Sequence, residues 1–139
     1  MSAVQVRIKS SSKKDNRSTG AKGEMYACRL LESQGYRVIS KNYKTVFAEI
    51  DLITLRKGIV YFVEVKTRKS TRFGLPQEVV GKRKLFKIKM AGEQFIKENK
   101  HSLLLRNKLN AGRCGIVVVA LVVESGTVLY SKIITVGWF

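Results

Sequence analysis

Three residues combine the types and spacing that metal-assisted chemistry uses: Asp51, then, after twelve intervening residues, Glu64, then Lys66. All three are embedded in apolar, strand-like text, Glu49-Ile50-Asp51-Leu52-Ile53-Thr54-Leu55 and Ile59-Val60-Tyr61-Phe62-Val63-Glu64-Val65-Lys66. Charged groups in such segments are costly unless something pairs with them. Lys57-Gly58 lies between the two runs and offers a turn. With those two residues as the hairpin loop, Arg56 faces Ile59, Asp51 falls opposite Glu64, and Glu49 falls opposite Lys66. Side chains alternate across a strand, so Glu49, Asp51, Glu64 and Lys66 then form one charged square. Ile50, Leu52, Val63 and Val65 form an apolar reverse face suited to packing on a helix. A three-residue loop, Arg56-Lys57-Gly58, would instead oppose Asp51 to Val63 and send the acids to opposite faces. The chemistry therefore requires the even-length loop.

Two carboxylates facing each other across a sheet repel, and a hard divalent cation relieves the repulsion. Asp51 and Glu64 are expected to ligate Mg²⁺ or Mn²⁺, joined by the backbone carbonyl of Val65. Such a metal activates water and polarises a phosphoryl oxygen. Lys66 would orient the attacking water or balance the charge of the pentavalent phosphate. The competing reading is a structural ion pair between Glu49 and Lys66 beside two solvated acids.

The arrangement Asp51…Glu64-Val65-Lys66 resembles the motif of the metal-dependent PD-(D/E)XK nucleases, with a spacing similar to that of archaeal Holliday-junction resolvases. The surrounding text is similar to the YraN-like family of small bacterial proteins. It matches at Gly23-Glu24 with Ala27, Gly35-Tyr36, Asn42-Tyr43, Glu49 to Ile53 and Phe62 to Arg68, then Phe73-Gly74, Pro76, Glu78, Val80 and Lys84. The resemblance implies an α/β fold with a restriction-endonuclease-like core: a mixed central sheet containing an antiparallel β-meander, flanked by a first helix and a long crossover helix. It also implies that Glu24, on the first helix, approaches the metal or its water, beside Asp51, Glu64 and Lys66. The chain departs from the family pattern at Ala48, where glycine is usual, and at Gly115, where an aspartate is often found.

Composition points the same way. The 139 residues are 45% hydrophobic, enough for one domain that buries roughly two-thirds of its unfolded surface. Against 27 Lys and Arg stand 10 Asp and Glu, a formal net charge of +17. Such a field attracts polyanions, and nucleic acid, DNA above all, is the expected partner. No segment is long and apolar enough to suggest a membrane span, and Met1 to Ser12 lacks the apolar core of a signal peptide. Cys28 and Cys114 are expected as reduced thiols of a cytoplasmic protein.

Residues 1–19, rich in Ser and Lys, are expected to be a flexible basic arm, with Val4 to Ile8 alternating like a short strand, and 20–139 the single nuclease-like domain. Within it, 22–34 reads as the first helix, 37–45 as a strand, and 47–56 with 59–67 as the charged hairpin. The run Lys66 to Arg72 then places four cations and three hydroxyls in seven residues. Arg68, Lys69 and Arg72 suit phosphate contacts without base readout. A crossover helix over 77–99, opened by Pro76, carries Lys82, Arg83, Lys84 and Lys87 outward as a backbone-tracking face. A polar connection over 101–112 with a surface His101 follows, then a second apolar hairpin over 113–123 and 127–136. Its tail, Trp138-Phe139, either staples to the core or covers a dimer contact.

Three functions stay open on sequence alone: a metal-dependent nuclease, with a homodimer expected where two strands are cut; a non-catalytic nucleic-acid-binding protein of the same fold; and a module for an acidic protein or membrane surface. Dependence on metal separates the first two, because phosphate contacts survive chelation and hydrolysis does not.

Overall fold

A computed structural model describes residues 16–70, 80–107 and 113–139, with side chains described over 20–70, 80–102 and 113–139. Its elements in chain order are α1 (Asn16–Ser33), β1 (Arg37–Lys44), β2 (Glu49–Arg56), β3 (Ile59–Arg68), α2 (Lys82–Asn107), β4 (Cys114–Glu124) and β5 (Thr127–Trp138). The strands lie in one five-stranded sheet in sequence order. The β3–β4 pair alone is parallel, because α2 carries the chain back between them. Two helices and a mixed sheet containing the β1–β2–β3 meander give the expected α/β architecture, consistent with a restriction-endonuclease-like core.

The helices cover opposite faces. On one, Tyr26, Ala27 and Leu31 of α1 meet Leu52, Tyr61, Val63, Val117, Val119 and Leu121. On the other, Ile88, Ala91 and Phe95 of α2 meet Ile53, Leu55, Val60, Phe62 and Ile116. This double coverage explains why Ile116 to Val123 is apolar without alternation: β4 is a central strand buried on both sides. Gly92 lets α2 approach the sheet there, since a Cβ would stand 2.8 Å from the Phe62 ring and 2.9 Å from Phe139.

The decisive turn has two residues. Lys57 and Gly58 take φ of 50° and 77°, the left-handed pair a type I′ hairpin demands, and Arg56 pairs with Ile59. The even-length loop on which the site depends is therefore present. Ser125 and Gly126, at 50° and 76°, repeat the device between β4 and β5. The tail is a staple: Phe139 exchanges two backbone hydrogen bonds with Cys114 and stacks on Phe62, while Trp138 meets Tyr61 edge-on.

Helix limits differ from the sequence expectation. Helix α1 begins at Asn16 rather than 22, so 16–19, assigned to the basic arm, are helical; residues 1–15 lie outside the described part. Helix α2 begins at Lys82 rather than 77 and continues to Asn107 through what reads as a polar connection. Neither proline nor glycine interrupts 93–107, so nothing there stops a helix. Pro76 and Arg72 lie outside the described residues.

Candidate metal centre

The site lies where the sheet forks. The β2–β3 ladder runs from Arg56/Ile59 to Leu52/Val63 and ends there, whereas β3 continues beside β4 through Glu64/Val118 and Lys66/Ala120. Beyond Leu52 the two strands of the hairpin part. In a continued ladder the Val65 N–H would reach backbone at Ile50; instead it donates to Asp51 Oδ2 at 2.8 Å. A side-chain carboxylate thus replaces a backbone acceptor. The N–H and C=O of one strand residue point to the same edge, so the Val65 carbonyl also faces the fork.

A kink in the neighbouring strand accompanies the fork. Lys41 pairs with Leu52 and Tyr43 with Ile50, which leaves Asn42 opposite Asp51, and Asn42 has a φ of 51°. Asparagine is among the few residues that accept this conformation readily. At the same point alternation along β2 slips: Leu52 packs in the α1 layer and Ile50 in the α2 layer. This corrects the expectation that Ile50 and Leu52 share one apolar face. The planar charged square is likewise replaced by a fork, with Asp51 turned in toward the β3 backbone.

Four carboxylates gather around it. Glu24 on α1, Glu49 and Glu64 all bear on the Asp51 carboxyl, whose pKa is pushed up to about 6, first by burial and then by these acidic neighbours against the Val65 hydrogen bond. Glu24 is raised too, by burial and then by Glu49, with Lys41 opposing. Its position depends on Gly23, where α1 lies against β3 so closely that a Cβ would collide with the Thr67 hydroxyl.

Glu64 Oε1 is approached by two ammonium groups, Lys84 Nζ at 3.0 Å and Lys66 Nζ at 3.4 Å. Its other oxygen, Oε2, is buried and without a hydrogen-bond partner. The structure therefore brings together Asp51, Glu64, Lys66 and the Val65 backbone, with Glu24 close by. It also adds Lys84, which sequence reasoning placed on the phosphate-tracking face. A buried carboxylate between apolar strands needs more than one partner, and Lys84 stands at a position of the family pattern, so a signal existed. Arg68, Lys69, Lys82, Arg83 and Lys87 are exposed as expected.

The residues present fit a small hard cation. Asp51 has an oxygen beyond the one bonded to Val65, Glu64 has an unsatisfied one, and the Val65 carbonyl is turned to the same fork. Among the described residues no group of three or more His, Cys, Asp and Glu side chains is placed to hold a metal. That set suits Mg²⁺ or Mn²⁺, which accept one or two carboxylates and fill the remaining positions with water or phosphate oxygens. Glu24 acts on Asp51 through space.

Gly115 lies elsewhere. It is level with Tyr61 on β3, three residues before the level of Glu64, roughly 10 Å along the strand. A Cβ there would stand 2.5 Å from the Tyr61 ring and 3.2 Å from Trp138. Gly115 thus packs under Tyr61 and Trp138, at a distance from the fork.

The pattern of the Uncharacterised protein family UPF0102 matches residues 23–119, which contain every element of the fork. A UPF0102 protein of Cytophaga hutchinsonii is 46% identical over 77 residues, 55% of this chain and 68% of that one. One from Syntrophomonas wolfei is 42% identical over 82 residues, 59% and 71% of the two chains. One from Alkaliphilus oremlandii is 40% identical over 85 residues, 61% and 73%.

Proposed function

This chain belongs to the UPF0102 family, and from that premise we propose that it is a metal-dependent nuclease hydrolysing phosphodiester bonds of DNA. The observation that carries the reading is the pair of carboxylates at the fork, Asp51 held by the Val65 amide and Glu64 with one buried oxygen unsatisfied. Asp51, Glu64 and the Val65 carbonyl would hold Mg²⁺ or Mn²⁺. When bound, the ion supplies Lewis-acid polarisation of a phosphoryl oxygen and a lowered pKa for water.

The chain's own groups do the rest. Lys66 extends from the strand that carries Glu64 and lies 3.4 Å from it, where an ammonium group orients a water for attack on phosphorus. Lys84, 3.0 Å from the same oxygen, would supply a second ammonium group for the phosphate. Glu24 and Glu49 keep the fork negative and so favour cation entry. Arg68, Lys69, Lys82, Arg83 and Lys87 supply exposed positive charge for the DNA backbone, without base selection.

One observation favours the non-catalytic alternative: Lys66 and Lys84 already neutralise Glu64 without a metal. A single experiment separates the readings. Labelled single-stranded, duplex and four-way-junction DNA is incubated with the protein in Mg²⁺, in Mn²⁺ and in chelator, beside Asp51→Asn. Cleavage that requires metal and is lost in the variant supports the nuclease. Salt-sensitive binding without cleavage in either metal leaves the binding protein.

A further inference from the structure

Three charged groups at the fork, Glu24, Glu49 and Lys84, have an exposed apolar side chain close by in sequence. Met25 follows Glu24, Phe47 precedes Glu49 by two residues, and Phe86 follows Lys84 by two. They are 54%, 40% and 61% exposed, and Val46, beside Phe47, is 94% exposed. Scattered apolar residues on a surface need no explanation. Val46 and Phe47 differ in being held out together by a braced turn. The Thr45 hydroxyl accepts from the amides of Phe47, at 3.0 Å, and Ala48, at 3.2 Å. Both the hydroxyl and the N–H of Thr45 donate to the Ala48 carbonyl, at 3.1 and 3.0 Å. Such a turn cannot fold its apolar pair back onto the sheet.

Its place in the fold gives it meaning. Phe47 lies in the turn between β1 and β2, two residues before β2 begins, at the end of the sheet where the fork opens. The surroundings are cationic: Lys44, just before the turn, is exposed, and so is Arg68, the last residue of β3 at the same end of the sheet. A surface that attracts polyanions yet carries rigid apolar points suits one kind of ligand. The apolar part of a nucleic acid is the face of its bases, hidden in a duplex and presented where bases are unpaired. Aromatic and aliphatic side chains beside phosphate-binding cations are the means by which proteins hold such bases.

We propose that the Val46-Phe47 turn is a stacking platform for unpaired bases on the side of the fork, so that the fork acts on nucleic acid with unpaired nucleotides beside the cut. The proposal rests on the nucleic-acid reading above but not on cleavage, so it is tested in chelator. Equilibrium binding is measured to a blunt DNA duplex and to the same duplex carrying a short unpaired flap, for the wild type, Val46→Ser, Phe47→Ala and the double variant. Thermal melting of each variant checks folding. Val46→Ser is the safe variant, because a side chain 94% exposed supports no packing.

The wild type is expected to prefer the flapped DNA by about five-fold or more, the size of one base–aromatic stack. The double variant should lose that preference while duplex affinity and its salt dependence stay unchanged. A preference that persists in the folded double variant overturns the proposal, and so does a wild type that binds both DNAs equally. Unchanged selectivity with a fall from dimer to monomer would assign the turn to a contact between copies, which also overturns it. Failure of the nuclease reading appears separately, as absence of metal-dependent cutting, and leaves these binding results intact.

Discussion

Asp51 performs two incompatible tasks, and that conflict is its signature. It replaces a backbone acceptor for Val65 and sits in partial burial among Glu24, Glu64 and Glu49. Its folded pKa of about 6, against an ordinary 3.8, means that the folded protein binds this proton more tightly than the unfolded chain does. The group therefore supports folding below pH 3.8, and that support is lost as pH rises to about 6. Urea midpoints of metal-free protein across this window should show the decline, and Asp51→Asn, which keeps an acceptor for Val65, should remove that part of it. Mg²⁺ competes with the same proton, so stabilisation by Mg²⁺ should appear above about pH 6 and fade below it. Glu64 makes a second residue-scale test. Lys66→Met and Lys84→Met should each cost under about 1 kcal/mol, because the other lysine remains. The double variant strands a largely buried carboxylate and should cost about 2 kcal/mol or more, beyond the sum of the singles. Thermal melts with and without Mg²⁺ read both effects, and the double variant should gain most from the metal.

Among the elements, close approaches set the position of each helix. Gly23 brings α1 onto Thr67, and with it Glu24 within electrostatic reach of Asp51. Gly23→Ala should destabilise by about 1–3 kcal/mol and lower activity, and Thr67→Ala in the same chain should recover part of the stability by removing the clashing hydroxyl. Gly115 is a packing glycine of the same kind under Tyr61. Gly115→Asp, which restores the residue frequent in the family, should lower the melting temperature here unless Tyr61 is also made small. An increase in cleavage without loss of stability would place that residue in the chemistry after all.

At the scale of the whole molecule, charge dominates. A net +17 on 139 residues makes association with polyanions fast and strongly dependent on salt. If Arg68, Lys69, Lys82, Arg83, Lys84 and Lys87 each neutralise a phosphate, DNA affinity should fall about 10³-fold between 50 and 200 mM salt. Anisotropy titrations measure this slope, and removing Lys82 with Arg83 should reduce it without changing the preference among DNA sequences. Among the described residues no helix is long and apolar enough to cross a membrane.

The pattern of residues alone located the hairpin at the centre of the site and left two loop lengths open, of which the structure takes the two-residue one. Lys57-Gly58 accepts two positive φ values, and a two-residue loop admits one register, so Asp51 had to meet the level of Glu64. The unbroken apolar run of β4 likewise identified a strand covered on both faces, as burial from Ile116 to Val123 bears out. Other features were decided by tertiary contacts, because they depend on groups distant in the chain. The fork needs Asn42 kinked opposite Asp51 while β4 holds β3 in the sheet, and no local signal in β2 reports either. Lys84 reaches Glu64 only because α2 crosses the sheet, and its position on a basic helix is equally compatible with solvent. Helix limits were hardest to read, since capping and packing choose among many permissive residues. Local chemistry specified the turns and strands; long-range packing decided which charged groups met.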